Sequence, residues 1–453
     1  MEARRHRFTI AQKILLIATS FALPIAVLAF FVSSAIDVNI DFGLKEIQGN
    51  VYQRPCEALL RGLQAHQVAA RESRVETRDA AATLDAAKMA VDSAFNALES
   101  ADQMVGGDLQ FTDEGLGKRD RAHVRVPTVR AEWNDLSATV AAASSSGKTV
   151  SDLDARYDHL ISDVRTMIAH AGDTSNLILD PDLDSYYMMD VTLLTLPQTQ
   201  DRLARVRAFA ADVVAKGAPS PDQRIALAVQ AAMLQEADHD RIVASTKTAL
   251  NEDRNFYGSC DSFQREVPPA LQNYQECTAA FIGMVRELSS AETPPFDRAA
   301  LVAAGNKALE ASYTYWDTAD RELDVLIANR VTKLEGDKAW ALSLSLLAVV
   351  AASLLSYFMM RSITRPLDSL VGSLGPGADL LAGCVETIAE TSKGEATIPA
   401  DAQIICEELS AHADDMRKAV RQLVSLVAGS SAADRLFHDA PAKTVASPAL
   451  KSK

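Results

Sequence analysis

The densest group of polar side chains lies between residues 180 and 187, where the sequence reads Asp-Pro-Asp-Leu-Asp-Ser-Tyr-Tyr. Carboxylates beside phenol rings can bind a cation or an amine, so Asp180, Asp182, Tyr186 and Tyr187 are candidate ligand-binding residues. The segment also suits the start of a helix, with Asp180 as the N-cap and Pro181 at the first helical position. The helix start is the main interpretation of this segment, and the ligand site is the alternative.

A second candidate for ligand binding is the segment that carries Tyr52 and Arg54. A guanidinium group binds a carboxylate through paired hydrogen bonds. These two residues and the four above form the predicted sensing region for an unidentified small molecule. The alternative is that both segments serve only packing and helix capping.

Catalytic chemistry has no comparable support in the sequence. We find no nucleophile triad, metal-ligand set or glycine-rich phosphate loop, so we expect no enzyme, no catalytic residue, no metal site and no cofactor. Cys260 and Cys277 flank Pro268-Pro269. They can form a disulfide if the chain folds back there, but they lie about 25 Å apart if the prolines only kink one helix.

Composition limits the classes of protein that this chain can be. The 453 residues include 48% hydrophobic and only 6% aromatic residues, which argues against an all-β fold. The net charge of −15 argues against a nucleic-acid partner. An all-α protein is therefore predicted.

Two stretches, residues 14–36 and 339–360, contain no charged side chain. Each has the roughly 20 residues that a membrane-spanning helix needs. A cleaved signal peptide is the alternative for the first, but its apolar run is longer than the usual signal core. Basic residues precede the first stretch and follow the second, so we predict a two-pass membrane protein with both termini cytoplasmic.

This topology divides the chain into six segments. They are a cytoplasmic N-terminus (1–13), a first transmembrane helix (14–36), an outer helical-bundle domain (37–338), a second transmembrane helix (339–360), a coiled-coil hairpin (361–429) and a disordered tail (430–453). Residues 1–13 carry a net charge of +3, residues 361–453 carry −2 and the apolar stretches carry none, so residues 37–338 carry −16. The acidity is concentrated in the predicted outer domain.

Within the outer domain, good helix formers dominate between Gly- or Pro-rich breaks. We predict a first helix that runs from residue 37 to residue 101, about 100 Å long. Such a length favours two stacked four-helix modules that share the first and last helices. Apolar residues at 3-4 spacing predict a bundle seam at Leu84, Ala87, Val91, Ala94 and Leu98.

Two heptad runs follow the second apolar stretch and predict an antiparallel coiled-coil hairpin. We expect Gly375-Pro376-Gly377 to interrupt the first arm. The second arm repeats apolar residues at 4-3 spacing, with Ala419, Leu423 and Leu426 in its seam and His412 in a core position. Residues 393–399 form the predicted turn.

The order of these segments resembles bacterial methyl-accepting chemotaxis proteins, or chemoreceptors. The phrases that carry the resemblance read Ser-Ile-Thr-Arg-Pro-Leu at 362–367, Gly-Asn-Val-Tyr-Gln-Arg-Pro at 49–55, the run 172–190 around the Asp-Pro-Asp-Leu-Asp motif, and Leu-Gly-Pro-Gly-Ala-Asp at 374–379. The first phrase is similar to the start of a HAMP relay. The resemblance implies a sensor of the bacterial inner membrane, in which residues 37–338 are a periplasmic sensor domain and residues 361–429 a truncated signalling hairpin. It also implies transmission of a helix displacement across the membrane, and assembly as a homodimer or a mixed oligomer with other chemoreceptors.

The chain departs from this family in its output region. The hairpin tip, which in the family docks the histidine kinase and its coupling protein, has no match here, and of the methylation helices only Glu386, Glu390, Glu407 and Glu408 are candidates. Two functions therefore stay open. The chain is either a chemoreceptor-like sensor, or a signalling-incompetent relative that acts as a decoy or modulator or comes from a decaying gene.

Overall fold

The structure is a computed structural model that describes residues 9–72, 78–146, 152–392 and 400–427. Within these ranges all regular structure is helical and no strand occurs, which confirms the all-α prediction. The helices are α1 (Ile10–Glu72), α2 (Arg78–Ala101), α3 (Asp113–Gly117), α4 (Val126–Ser146), α5 (Leu153–Thr174), α6 (Leu183–Met189), α7 (Leu196–Lys216), α8 (Pro221–Ala232), α9 (Asp240–Glu252), α10 (Asp261–Ser290), α11 (Arg298–Ser392) and α12 (Ala400–Val427). Three wider, π-helical turns adjoin these helices. Asp102–Gly106 follows α2, Asp190–Thr195 joins α6 to α7, and Met233–His239 joins α8 to α9.

The chain divides into two compact units. One is the helical bundle Ala35–Asp337, and the other combines Met1–Ser34 with Lys338–Lys453. Two helices, α1 and α11, are long and apolar enough to cross a membrane, and none of the apolar window of either is buried. Their large side chains, such as Phe30 and Leu355, are exposed.

Two separate hydrophobic cores stabilise the bundle unit. The larger contains the fully buried Trp133 and Phe95 and draws on α1, α2, α4, α5 and others. The smaller is built by four helices, α7, α8, α10 and α11. Two modules were predicted to share the first and last helices. Helix α11 does contribute to both cores, but α1 contributes residues to the larger one and none to the smaller one.

The predicted continuous rod from residue 37 to residue 101 is wrong. Helix α1 ends at Glu72 and α2 begins at Arg78, and a Cβ atom placed on Gly62 of α1 would lie 3.0 Å from Cγ2 of Val91 in α2. The two helices therefore lie side by side. This arrangement buries Leu59 together with Phe95 in the larger core, whereas a straight rod would expose both to water. The seam predicted in α2 lies on its buried side.

The chain between α7 and α8 changes direction at one of the Gly- and Pro-rich breaks, residues 216–219. Helix α7 ends at Lys216, and Gly217 follows with φ of +95°, a conformation that favours glycine. Helix α8 then starts with a capping box in which the Ser220 side chain accepts from the backbone N–H of Gln223 and the Gln223 side chain accepts from that of Ser220.

The alternative of a Cys260–Cys277 disulfide is wrong. Helix α10 runs without interruption through Pro268 and Pro269, with Cys260 at its N-cap and Cys277 inside it. Both cysteines are free thiols. One continuous helix holds them about 25 Å apart, far beyond the reach of a disulfide.

The second unit contains the C-terminal part of α11 and α12. The expected interruption at Gly375-Pro376-Gly377 is absent, because α11 continues as one helix to Ser392. A proline inside a helix removes a single backbone hydrogen bond, so it need not end the helix. The predicted turn at 393–399 and the predicted tail at 430–453 lie outside the described residues.

At the C-terminal end of α12, the buried seam is shifted by one position from the predicted seam. Val420, Val424 and Val427 are buried, whereas Leu426 is exposed. His412 is exposed and does not take a core position. The sequence offers two adjacent apolar rows at the same 4-3 spacing, and spacing alone does not distinguish between them.

Candidate functional site

A groove with a volume of about 1000 Å³ opens between α1, α2 and α11. We call it the α1–α11 groove. Helix α1 lines it with Arg54, Glu57 and Arg61, and α11 lines it with Asp317, Asp320 and Asp324 and with two aromatic residues, Tyr313 and Trp316. The wall from α2 consists of small residues, Ala90, Ser93, Ala94 and Ala97.

Residue spacing explains why these side chains share one groove. On each of the three helices the lining residues recur at intervals of three or four, so they form one face. The faces of α1 and α11 carry long charged side chains, and the face of α2 carries almost only methyl groups. Because the α2 side chains are so short, space remains between the helices.

Arg54 is held by two aspartates across the groove. Its Nε lies 2.6 Å from Oδ2 of Asp320, and its Nη2 contacts Asp324. Asp320 is almost fully buried, and burial raises its pKa to about 7 although the neighbouring Arg54 lowers it. The positive charge of Arg54 is therefore already paired within the protein.

Glu57 differs from the other groove residues because it is buried without a partner. Its side chain is 3% exposed, and among the described residues neither carboxylate oxygen has a hydrogen-bond partner. Burial raises the pKa of Glu57 to about 8, although the neighbouring Gln200 side chain and the charge of Arg61 lower it. No salt bridge with a described residue neutralises the Glu57 carboxyl group. A buried carboxyl group without a partner is unfavourable in its ionised form, so Glu57 is largely protonated at pH 7.

The aromatic end of the groove carries a second arginine. The guanidinium of Arg61 lies 5.1 Å from the centre of the Tyr313 ring, and its Nη2 donates to both oxygens of Glu310 at 2.7 Å. The Tyr313 hydroxyl donates in turn to Gln64 at 2.7 Å. Like Arg54, Arg61 is already paired.

A second group of charges, which we call the Arg330 cluster, is buried elsewhere between the same two helices. Arg330 of α11 contacts Glu46 of α1, and its Nη1 lies 3.0 Å from both Oδ1 of Asp180 and Oδ2 of Asp182. Asp180 also accepts from the backbone N–H of Asp182 at 3.0 Å and from the hydroxyl of Ser185 at 2.9 Å. The cluster thus ties α1, α11 and the residues before α6 together.

The Arg330 cluster contains three carboxyl groups and one guanidinium. Burial, reinforced by the nearby Asp180, raises the pKa of Glu46 to about 9. Burial also raises the pKa of Asp180, against the attraction of Arg330. Glu46 therefore holds a proton at neutral pH, and the buried charge is correspondingly smaller.

Between these two groups, polar side chains at heptad-like spacing continue the contact of α1 with the rest of the bundle. Asn50 donates to Asp324 at 2.8 Å, and Gln53 donates to the carbonyl of Thr192 at 2.7 Å. With Glu46, Glu57 and Gln64, they form one buried polar row along α1. The contact between α1 and α11 is therefore polar along much of its length.

The six residues predicted to bind a ligand lie in several places. Arg54 lines the groove, and Asp180 and Asp182 belong to the Arg330 cluster. Tyr52 is buried, where its ring stacks on Phe111 with centroids 3.9 Å apart, and its hydroxyl donates to Asp102 at 3.0 Å.

The remaining two, Tyr186 and Tyr187, pack edge to face at 5.4 Å. The proposed N-cap role of Asp180 is wrong, because α6 begins at Leu183 and Asp182 occupies the N-cap position. The Asp180 carboxylate is instead engaged by Arg330 and Ser185.

Sequence reasoning missed Glu57 and Arg330. Each left a signal: Arg330 interrupts the apolar row of Leu323, Leu326 and Ile327, and Glu57 falls on the polar row of α1. A charged residue at a core position of a helix indicates a buried partner or a ligand. A third missed group, Glu132, His159 and Asp163, has ligand atoms within 4.8 Å of one another.

Comparisons with known proteins add little to this geometry. No protein-family model matches the chain, and no curated protein matches it. Among solved structures, the chain is similar to the structure of the NasR transcription antiterminator, with a TM-score of 0.45 and 18% identity over 88% of this chain and 98% of that chain. A likeness of this extent carries no argument about the function of this chain.

Proposed function

We propose that this chain is a membrane-bound sensor of the chemoreceptor type that binds a small cationic amine in the α1–α11 groove. The observation that carries the proposal is the buried, unpartnered carboxyl group of Glu57 in a groove built by α1 and α11. These are the two helices that also contain the apolar stretches. A ligand there would act directly on both.

The chemistry of the groove favours a cation over an anion. Arg54 and Arg61 are paired with carboxylates of the protein, so neither is available to an anionic ligand without breaking a contact. Asp317 and Glu57 supply carboxyl groups, of which Glu57 can ionise against a bound cation, and Trp316 and Tyr313 supply aromatic rings. Carboxylates beside aromatic rings are suited to an ammonium group.

Signal transmission in this proposal is a small displacement of α11 against α1. The polar contacts between these helices, Asn50 with Asp324 and Arg54 with Asp320, depend on register. An amine that pairs with Glu57 and Asp317 would favour one register over another. The difference in its affinity for the two registers is the driving free energy.

The remaining parts of the proposal rest on the sequence. The bundle unit is periplasmic, the chain crosses the bacterial inner membrane twice and both termini are cytoplasmic. The C-terminal hairpin pairs with a second copy or with other chemoreceptors. We propose no catalytic activity, cofactor or nucleic-acid partner. Fusing a compartment-specific reporter after residue 200 tests the topology, and a cytoplasmic readout there would contradict it.

A second candidate function has one specific observation in its favour. Helix α11 ends at Ser392 and α12 begins at Ala400, so little chain is left for the long hairpin tip that docks the kinase in the chemoreceptor family. The chain would then be a signalling-incompetent relative that acts as a modulator of full-length receptors or as a decoy. This candidate keeps the sensing groove and lacks only a direct output.

A ligand screen on the full-length protein in lipid nanodiscs tests the sensor. We expect amines such as ethanolamine, choline and putrescine to raise the melting temperature, and organic acids to have no effect. Glu57→Gln should abolish the rise. Glu114→Gln, which removes an exposed carboxylate that pairs with Lys118, is the matched control and should retain it. Stabilisation by acids alone, or by no ligand, would contradict the proposal.

Proton release provides an independent readout. Because Glu57 is largely protonated at pH 7, pairing with an ammonium group should release up to about one proton. Calorimetry in two buffers with different ionisation enthalpies measures that number. Addition of the same amine to a reconstituted kinase array then separates the two candidate functions, because an unchanged kinase activity would leave only the second.

A further inference from the structure

A cluster of two histidines and two carboxylates lies apart from the α1–α11 groove. Glu132 belongs to α4, and His159 and Asp163 lie one turn apart on α5. His123 belongs to the short 3₁₀ turn Ala122–Val124. No residue of this cluster lines the groove or contacts Arg330.

The ligand atoms of Glu132, His159 and Asp163 lie within 4.8 Å of one another, close enough to share one ion after small side-chain movements. Nε2 of His159 lies 3.6 Å from Oε2 of Glu132 and 3.7 Å from Oδ2 of Asp163. Nε2 of His123 lies 3.8 Å from Oδ1 of the same aspartate. Hydrogen bonds between N and O atoms are about 2.7–3.2 Å long. A tetrahedral ion with bonds of about 2.0–2.2 Å holds its ligand atoms roughly 3.3–3.6 Å apart.

Asp163 supplies a second, independent observation. Its side chain is only 2% exposed, and among the described residues Oδ2 has no hydrogen-bond partner. A buried carboxylate oxygen without a donor is unfavourable unless a cation neutralises it. The free oxygen faces His159 and not a backbone N–H group, so the missing partner is on the side of the other candidate ligands.

We propose that Glu132, His159 and Asp163 bind one divalent transition-metal ion of the zinc class, and that His123, which faces the other oxygen of Asp163, turns towards the ion as the fourth ligand. Imidazole nitrogen together with carboxylate oxygen suits Zn²⁺, whereas Mg²⁺ and Ca²⁺ prefer oxygen ligands only. A cavity of about 560 Å³ between α4 and α5, lined by Glu132 and His159, gives the ion a path from solvent.

The ion would join three elements of the bundle unit. Two ligands come from α5, one from α4 and one from the turn before α4. Because an unfolded chain does not hold these four residues together, the binding free energy of the ion stabilises the bundle unit. This site goes beyond the proposed sensor and does not depend on it.

Titration of the full-length, EDTA-treated protein in nanodiscs with ZnCl₂ tests the site by calorimetry. We expect saturable binding of one ion per chain and a rise in melting temperature. Loss of a residue that only hydrogen-bonds to a metal ligand typically lowers metal affinity 10- to 100-fold. His159 and Asp163 are themselves proposed ligands, so we expect His159→Gln and Asp163→Asn to lower the affinity by about 100-fold or more. Co²⁺ should give the visible absorption bands of a tetrahedral site.

The matched control is Asp135→Asn. Asp135 lies one turn from Glu132 on α4, lines the same cavity and is 77% exposed, with Arg156 as its partner. We expect the Zn²⁺ affinity of this variant to stay within about threefold of that of the parent protein. Glu132→Gln, at a half-exposed position, guards against misfolding of the Asp163 variant and should also lower affinity.

Three results would overturn the proposal. They are the absence of a saturable site at one ion per chain, an unchanged affinity in His159→Gln, and an equal loss in Asp135→Asn. An unchanged affinity in His123→Gln would overturn the assignment of His123 as the fourth ligand.

Discussion

The α1–α11 groove and the Arg330 cluster place acidic side chains at the contact of the same two helices, yet they differ in how the charge is neutralised. In the cluster, one guanidinium is enclosed by Glu46, Asp180 and Asp182. In the groove, Arg54 forms ion pairs with Asp320 and Asp324, and the Glu57 oxygens have no hydrogen-bond partner among the described residues.

This difference separates a structural contact from a ligand site. A buried carboxylate that has an internal cation is satisfied by the fold itself. A buried carboxyl group with no partner, next to open volume, is satisfied only by a proton or by a ligand. The comparison predicts that removing the cation of the cluster damages the fold, whereas removing the free carboxyl group of the groove damages only binding.

The largest effect is expected from Arg330→Met. This change leaves three buried carboxyl groups without a cation, which should lower the free energy of unfolding by about 3–5 kcal/mol. Denaturant unfolding of the full-length protein in detergent micelles, followed by tryptophan fluorescence, measures it. The control Lys118→Met breaks an exposed pair with Glu114 and should change stability by less than about 1 kcal/mol. If both substitutions lowered the free energy of unfolding equally, the Arg330 cluster would not be the structural contact inferred here.

The second largest effect concerns Glu57, and here the substitution should raise the free energy of unfolding instead of lowering it. A glutamate whose pKa is raised from 4.5 to about 8 by folding binds more protons in the folded state than in the unfolded state. The stability that it contributes is fully present below pH 4.5 and is lost as the pH rises towards 8, by up to ~1.4 kcal/mol per pH unit.

Glu57→Gln should therefore raise the free energy of unfolding at pH 8, on the order of 2 kcal/mol, because an amide cannot ionise. Unfolding curves at pH 5 and pH 8 check this. The variant should lose most of the gain at pH 5. A variant that is less stable than the parent at pH 8 would mean that Glu57 has an internal cationic partner.

The smallest effect concerns Tyr52. Its hydroxyl donates to Asp102, so Tyr52→Phe should lower stability by about 1 kcal/mol and leave amine binding unchanged. Tyr186→Phe, at a partly exposed ring, is the control and should have no measurable effect. If Tyr52→Phe abolished amine binding while stability held, Tyr52 would belong to the sensing site.

Much of the fold was predictable because it follows from local preferences. The all-α class follows from good helix formers, and the break before α8 follows from the turn chemistry of Gly217 and the Ser220 cap. A proline misled the prediction once, because α11 continues through Pro376. At Pro268 two alternatives were open, and α10 continues through it. A proline weakens one helical turn, but the packing along the rest of the helix decides whether the helix continues.

The candidate site was predictable only in part. The motif at Asp180 was recognised as unusual, but its interpretation as a helix cap failed because the partner of Asp180 lies 150 positions away, at Arg330. The polar row of α1 is visible as a heptad pattern, but that pattern does not say which of its members is left without a partner. Glu57 could be identified only when the residues of α2 and α11 around it were known.

The amino-acid sequence alone determined that the chain is helical, that two of its stretches are apolar enough to span a membrane, and that its acidity is concentrated between them. These properties depend on composition and on spacings within one helix. Tertiary structure alone decided that α1 and α2 lie side by side, that Arg330 joins three carboxyl groups, and that Glu57 faces a groove without a partner. Such contacts join residues far apart in the chain, and their free energies depend on burial, which no local pattern encodes.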